Sequence, residues 1–370
     1  MPPARRGMHY VSVVMPFDPA PAPAKPRPAL GHAGPVAAWL LSVAGLVWIM
    51  VAIGGATRLT GSGLSIMEWA PISGILPPLS EAEWQRLYDL YRTVPQYTLV
   101  NAGFGMDGFR QIFWLEWLHR FWGRLIGLAY VAGLVWFWAR GMIPAGYKGW
   151  LLLLLALGGL QGGIGWFMVA SGFDEGRTEV SPYRLVLHLG MAFLLFGLLL
   201  WTALSLLRPD RTAVPGARAV KPWLHAAAAL AVLTMLAGGF VAGIRAGFTY
   251  NTFPLMDGAW IPAGYADLTP WWRNLTANIA AVQWNHRLLA TLCLVVALAA
   301  GAVAWRALPA GLARGAAAVF AGTVALQYGL GILTLLYVVP VGLGTLHQTV
   351  AVGVLASALV AMHALGRRAA

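Results

Sequence analysis

The chain has 370 residues, of which 59% are hydrophobic and only 10% charged, where a soluble domain carries about 25% charged residues. A single cysteine, Cys293, excludes an internal disulfide and any cysteine-based metal cluster; inside an apolar run it reads as a small core residue. The net charge of +12 raises the question of a nucleic-acid partner, which the placement of the charges answers.

Apolar runs of about 20 residues span a bilayer, and eight are expected, at roughly 35–56, 112–139, 150–170, 184–207, 222–244, 278–305, 315–338 and 343–365. The fold class is therefore an all-α polytopic membrane protein with eight transmembrane helices. With the amino terminus inside, the inner tails and loops hold 14 basic residues against the two acids Asp18 and Asp210. The remaining 11 basic and 11 acidic residues lie in outer segments and cancel. The whole excess is positive-inside bias, which sets both termini in the cytoplasm and excludes a nucleic-acid partner.

In chain order, residues 1–34 are rich in Pro and Ala and read as a disordered cytoplasmic tail. No adequate apolar stretch follows Arg5 and Arg6, so no cleaved signal is expected. The first span ends in GGATRLTGSGLSIMEW and opens an outer segment, 57–111, containing EAEWQRLYDLYR. That stretch has helical periodicity, as an amphipathic helix on the lipid interface or a lid packed on the bundle. The second span begins with IFWLEWLHRFWGRL, in which Glu116 and His119 at i, i+3 share a helix face and Arg120 is expected to point elsewhere. A carboxylate and an imidazole at a membrane boundary are costly to bury and mark a functional site.

The third span carries Gln161, expected to hydrogen-bond between helices, and the fourth carries His188; an outer segment, 171–183, lies between them. A cytoplasmic linker at 209–221 follows. The fifth span ends in GGFVAGIRAGFTYNTFPLMDGAWIP, opening the outer segment 242–277. The sixth repeats the earlier pattern, with Gln283, His286 and Arg287 standing where Glu116, His119 and Arg120 stood. Gln327 and His347 follow in the seventh and eighth spans. His119 to His286 is 167 residues, Gln161 to Gln327 is 166, and His188 to His347 is 159. The chain is thus an internal duplication with an even number of spans per half. Two four-helix bundles, 35–208 and 222–370, are expected to be related by a pseudo-twofold axis along the membrane normal.

From His119 to the inner Arg140 is 21 residues, and from His188, His286 and His347 to Arg208, Arg306 and Arg367 is 20 each. At about 1.5 Å per residue this is roughly the hydrocarbon thickness, so all four imidazoles lie at one depth near the outer face. A lone histidine in a membrane helix is more often hydrogen-bonded structure than a ligand. Four at matched depth, two in each bundle, suit axial ligation of haem iron. Zinc is disfavoured, because two histidines and one carboxylate are too few ligands for a closed site. Arg120, Arg124 and Arg287 lie close enough to pair with haem propionates, or else snorkel outward or pair with loop acids. His9, His32, His225 and His363 lack the matched placement.

The motifs TRLTGSGLSI, EWLHRFWGR, LHLGMAF, GGFVAGIRAGFTYNTFPLMDG, QWNHR and LHQTVAV, spread from Gly54 to Ala361, resemble those of the haem A synthase family of cytochrome oxidase biogenesis. EWLHRFWGR and FTYNTFPLMDG carry the specificity; the short histidine motifs alone do not. The resemblance implies a bacterial inner-membrane enzyme, an oxidoreductase that turns a methyl group of the substrate haem O into the formyl group of haem A. It also implies that the first half holds that substrate near His119 and His188 with Glu116 catalytic, and the second holds haem b on His286 and His347. Haem O synthase, cytochrome oxidase assembly factors and an electron-transfer partner of unknown identity are the implied partners, with a homo-oligomer left open. Many members carry a cysteine pair in an outer loop, which this chain lacks. A bis-haem cytochrome b or a haem carrier are the rival readings, and Glu116 in only one repeat argues against both.

Overall fold

The structure, a computed structural model, describes residues 33–366. The tail expected over 1–34 falls almost wholly outside the described residues, as do His9, His32, Arg367 and Arg368. In chain order the helices are α1 (Ala33–Leu59), α2 (Glu81–Tyr91), α3 (Pro95–Leu99), α4 (Met106–Ala139), α5 (Lys148–Ala170), α6 (Pro182–Leu207), α7 (Ala217–Gly243), α8 (Asn274–Ala277), α9 (Ile279–Ala307), α10 (Leu312–Leu336) and α11 (Val341–Ala364). Eight of them are long and apolar enough to cross a membrane: α1, α4, α5, α6, α7, α9, α10 and α11. Among the described residues there is no β-strand.

Each expected span lies on one of these helices, and the helices run past the apolar limits wherever polar ends stay helical at the interface. The largest extension is in α4. Its 34 residues measure about 51 Å at 1.5 Å per residue, so its first turns stand outside a hydrocarbon layer of about 30 Å. Those turns support α2. Ser80 caps α2 by accepting from the Glu83 amide at 3.2 Å, in the Ser-x-x-Glu pattern of a helix start. The apolar face of α2, Trp84, Leu87 and Tyr91, is buried against Phe109, Ile112 and Phe113 of α4. The amphipathic helix therefore spends its apolar side on protein.

The helices α1, α4, α5 and α6 neighbour one another in a ring, and α7, α9, α10 and α11 form a second ring in the same order. Between the rings α1 meets α11, α7 meets α6, and α6 meets α11. Exchanging the two sets leaves this pattern of neighbours unchanged. The first core mixes large residues, such as Leu40, Tyr130, Phe193 and Phe196. The second is rich in alanine, including Ala227, Ala297, Ala300 and Ala317, which lets backbones approach closely. Across the seam the Trp48 indole donates to the Thr349 carbonyl at 2.8 Å and the Gln348 amide donates to the Val51 carbonyl at 3.1 Å. These contacts join the rings beside the histidine-bearing turn of α11.

Candidate functional site

Three side chains spaced four residues apart on α4, Glu116, Arg120 and Arg124, fasten the segment 65–71 across the outer end of the first ring. Glu116 is only 3% exposed. One carboxylate oxygen accepts from the Ser65 amide and hydroxyl, each at 2.7 Å, and from the Ile66 amide at 2.9 Å. Its other oxygen accepts from Arg120 Nε at 3.1 Å and Nη2 at 2.7 Å. Arg120 was expected to point away from Glu116, and this is corrected: residues i and i+4 are neighbours on a helix, and the guanidinium lies against the carboxylate. Its remaining N–H groups donate to the Ile66 and Glu68 carbonyls. Arg124 donates to the Ala70 and Pro71 carbonyls, and its Nη1 is buried without a partner. Trp69 completes the roof by stacking on Trp166 of α5, with ring centroids 5.7 Å apart.

Outside the membrane helices, Arg86 of α2 donates to both oxygens of Glu68 at 2.9 and 2.8 Å. Those hydrogen bonds hold the Glu68 carboxyl below the usual glutamate range.

In the second ring α9 presents Gln283 and Arg287 at the matching positions. Gln283 is 2% exposed, as deeply buried as Glu116. Its amide nitrogen donates to the Ala246 and Thr249 carbonyls at 2.7 and 2.6 Å, and its oxygen accepts from Arg287 at 2.9 Å. Arg287 also donates to the Tyr250 and Thr252 carbonyls, with its Nε buried and unpartnered. Phe253 meets Tyr328 of α10 edge-on, with ring centroids 6.2 Å apart. A second roof is thus fastened in the same way. Of the three arginines considered for propionates, Arg124 keeps Nη1 and Arg287 keeps Nε without a partner, whereas every guanidinium nitrogen of Arg120 is engaged by Glu116 or the loop.

The four histidines come together in pairs. His119 lies beside His188 in the first ring, and His286 beside His347 in the second. Gln161 and Gln327 make the inter-helix bonds expected of them, and both end on a histidine: their amides donate to the His188 and His347 carbonyls at 3.1 and 2.9 Å. His286 Nδ1 lies 3.1 Å from the Thr234 carbonyl. Each ring also rests in a gap left by a glycine of the preceding membrane helix, Gly54, Gly165, Gly238 or Gly331. Sequence reading had overlooked these glycines. The signal was present as QGGIG and QYGLG, a glutamine and a glycine one helical turn apart, once in each half.

This donor set fits haem. The two imidazoles of each pair would offer two nitrogens to a haem iron, and the Nδ1 atoms of His188 and His347 are buried without a partner, so neither ring is committed to a competing bond through that nitrogen. Among the described residues no three His, Cys, Asp or Glu side chains converge on a point that would hold a bare metal ion.

The comparisons with known proteins point to one family. A family model described as "Cytochrome oxidase assembly protein" matches residues 37–359. The "Heme A synthase" of Granulibacter bethesdensis is 52% identical over 330 residues, covering 89% of this chain and 87% of that protein. That of Rhodospirillum centenum is 51% identical over 313 residues, covering 85% and 83%. That of Parvibaculum lavamentivorans is 47% identical over 339 residues, covering 90% and 94%.

Proposed function

The chain belongs to the haem A synthase family, and on that premise we propose that it converts haem O to haem A for cytochrome oxidase, acting as an oxidoreductase on a methyl group. The observation that carries this reading is the duplicated pair of imidazoles with a buried carboxylate in one half only. The substrate haem O is held in the first half by His119 and His188, and haem b in the second by His286 and His347. Haem b, when bound, supplies one-electron transfer. On the same reading haem O arrives from haem O synthase, and haem A passes to cytochrome oxidase assembly factors.

The overall change takes a methyl group and one water to a formyl group, four protons and four electrons. It proceeds through two hydroxylations, and the resulting hydrate loses water to give the aldehyde. The four electrons must pass to an electron-transfer partner at the membrane, and the second half, where His286 and His347 would hold haem b, is the part suited to deliver them. Glu116 has both carboxylate oxygens engaged by fixed donors, one by Ser65 and Ile66 and the other by the Arg120 guanidinium. Its role is to stabilise positive charge that develops at the reacting carbon, which a preorganised charge does best in a water-poor site. Arg124 and Arg287, each with one unpartnered guanidinium nitrogen, are the arginines best suited to hold propionates. The protein sits in the bacterial inner membrane with both termini cytoplasmic and with the two roofs on the outer side.

The test is haem extraction and mass analysis of membranes with and without this gene, supplied with haem O. Haem A should appear only with the gene, at the expense of haem O. Intact haem b loading without haem A would reduce the protein to an electron carrier. Orientation is read by a Ser80→Cys variant, because the native Cys293 is buried. Labelling of that variant from the cytoplasm would overturn the topology.

A further inference from the structure

We propose that Gly54, Gly165, Gly238 and Gly331 position the four imidazoles, and that Gly165 and Gly331 do so as one half of a clamp completed by Gln161 and Gln327. The inference rests on the reading of these histidines as haem ligands. A Cβ at Gly165 would stand 2.9 Å from His188 Cε1, at Gly238 3.0 Å from His286 Cε1, at Gly331 3.0 Å from His347 Cε1, and at Gly54 3.3 Å from His119 Cε1. Carbon atoms not bonded to each other prefer separations of about 3.5–4.0 Å, so alanine at any of the four pushes on the ring at the same edge.

The four contacts share one construction. The glycine always lies on the membrane helix that precedes the histidine, and its nearest neighbour is always Cε1. The residue one turn before the glycine reaches the same histidine in three cases. Gln161 and Gln327 donate to the backbone carbonyls of His188 and His347, and Thr234 offers its own carbonyl to the ring of His286. A haem-ligating imidazole is ordinarily oriented by a hydrogen bond to its second nitrogen. In His188 and His347 that nitrogen has no partner, so their orientation comes from the held backbone, the glycine gap and, for His347, the Gln327 amide nitrogen 3.4 Å from Nε2. On α1 the position one turn before Gly54 is Met50, and His119 has the widest gap of the four.

The neighbouring glycines behave differently. Gly158, Gly159, Gly162 and Gly163 on α5, and Gly322 and Gly329 on α10, have nothing within 4 Å of an added Cβ. On α5 and α10 only the glycine facing a ring is tight, which there separates positioning from a general need for small residues; on α1 and α7, Gly55 and Gly239 are tight as well, against Gln348 and Val186.

The experiment compares full-length Gly331→Ala, Gly329→Ala and His347→Ala proteins purified with their haem b. It reads haem per protein, the g values of the low-spin ferric signal and the midpoint potential. Disturbing a group that orients a metal ligand costs about 10- to 100-fold in affinity, so Gly331→Ala should retain at least about tenfold less haem or show shifted g values and potential. Gly329→Ala should match wild type, since alanine is the better helix former. If Gly331→Ala matches Gly329→Ala in all three readouts while His347→Ala loses its haem, the positioning role is refuted and the ligand role stands. If His347→Ala keeps its haem, the ligand reading falls and the inference falls with it. Should Gly331→Ala fail to accumulate, Gly238→Ala against His286→Ala applies the same criterion to the other ring of that pair.

Discussion

Glu116 and Gln283 occupy matching places, are buried to the same degree and each fasten a roof, yet they bind opposite sides of the backbone. Glu116 takes N–H groups from Ser65 and Ile66, whereas Gln283 gives N–H groups to the carbonyls of Ala246 and Thr249. Each loop is therefore turned to suit its own side chain. A neutral amide suffices to hold a roof, so what the first half has and the second lacks is the charge. The halves also differ in closure. α5 buries only Leu151 and Leu154, whereas α10 buries residues along most of its length, from Ala313 to Thr334. The more loosely packed of these two helices lies in the half proposed to exchange substrate for product.

The largest expected effect separates the halves outright. His347→Ala or His286→Ala should remove nearly all of the low-spin b-type haem spectrum, and His119→Ala should leave it in place. The opposite pattern would exchange the roles assigned to the two halves.

Next comes the charge itself. Glu116→Gln keeps the shape and an oxygen that can accept from Ser65, so folding and haem b should persist. Haem A formation should fall by about 10²–10³-fold, the range for losing one preorganised electrostatic contact with developing charge, and haem O or a singly oxidised product should accumulate. Output within a few-fold of wild type would leave Glu116 as a fastener only.

The reciprocal change, Gln283→Glu, sets a carboxylate against two carbonyls and removes both of their donors. Unsatisfied buried polar groups cost about 1–3 kcal/mol, so the thermal midpoint should drop and haem b should dissociate faster. Unchanged stability would show that the direction of these hydrogen bonds is immaterial, removing the contrast with Glu116.

The smallest effect concerns the outer edge of the first roof. The Glu68 carboxyl is held below its usual range by Arg86, so its contribution is present at neutral pH and is lost as acidification passes through the lowered value. The pair is largely exposed, and exposed pairs contribute about 0–1 kcal/mol. Arg86→Ala should lower the thermal midpoint slightly at pH 7 and not at all once Glu68 is protonated. A loss that persisted in acid would mean that Arg86 acts through its contact with Glu83 or through packing.

Hydropathy along the chain determined the eight spans, because crossing a bilayer demands a run of apolar residues wherever its neighbours lie. Spacing gave the expectation of one depth for the four histidines, because helical rise is constant. The same regularity made the duplication legible, and with it the asymmetry between Glu116 and Gln283. Only tertiary structure decided what those side chains touch. Ser65 meets Glu116 across 51 residues of sequence, and the loop between them carries no periodicity that reports which way its amides face. Arg120 was misjudged because the choice between turning outward and folding back on Glu116 depends on the carbonyls of Ile66 and Glu68, which arrive from that loop. The ring gaps at Gly165 and Gly331 were likewise hidden: a glycine in a membrane helix looks the same in sequence whether it faces open space or an imidazole, and the rotation of neighbouring helices decides between them.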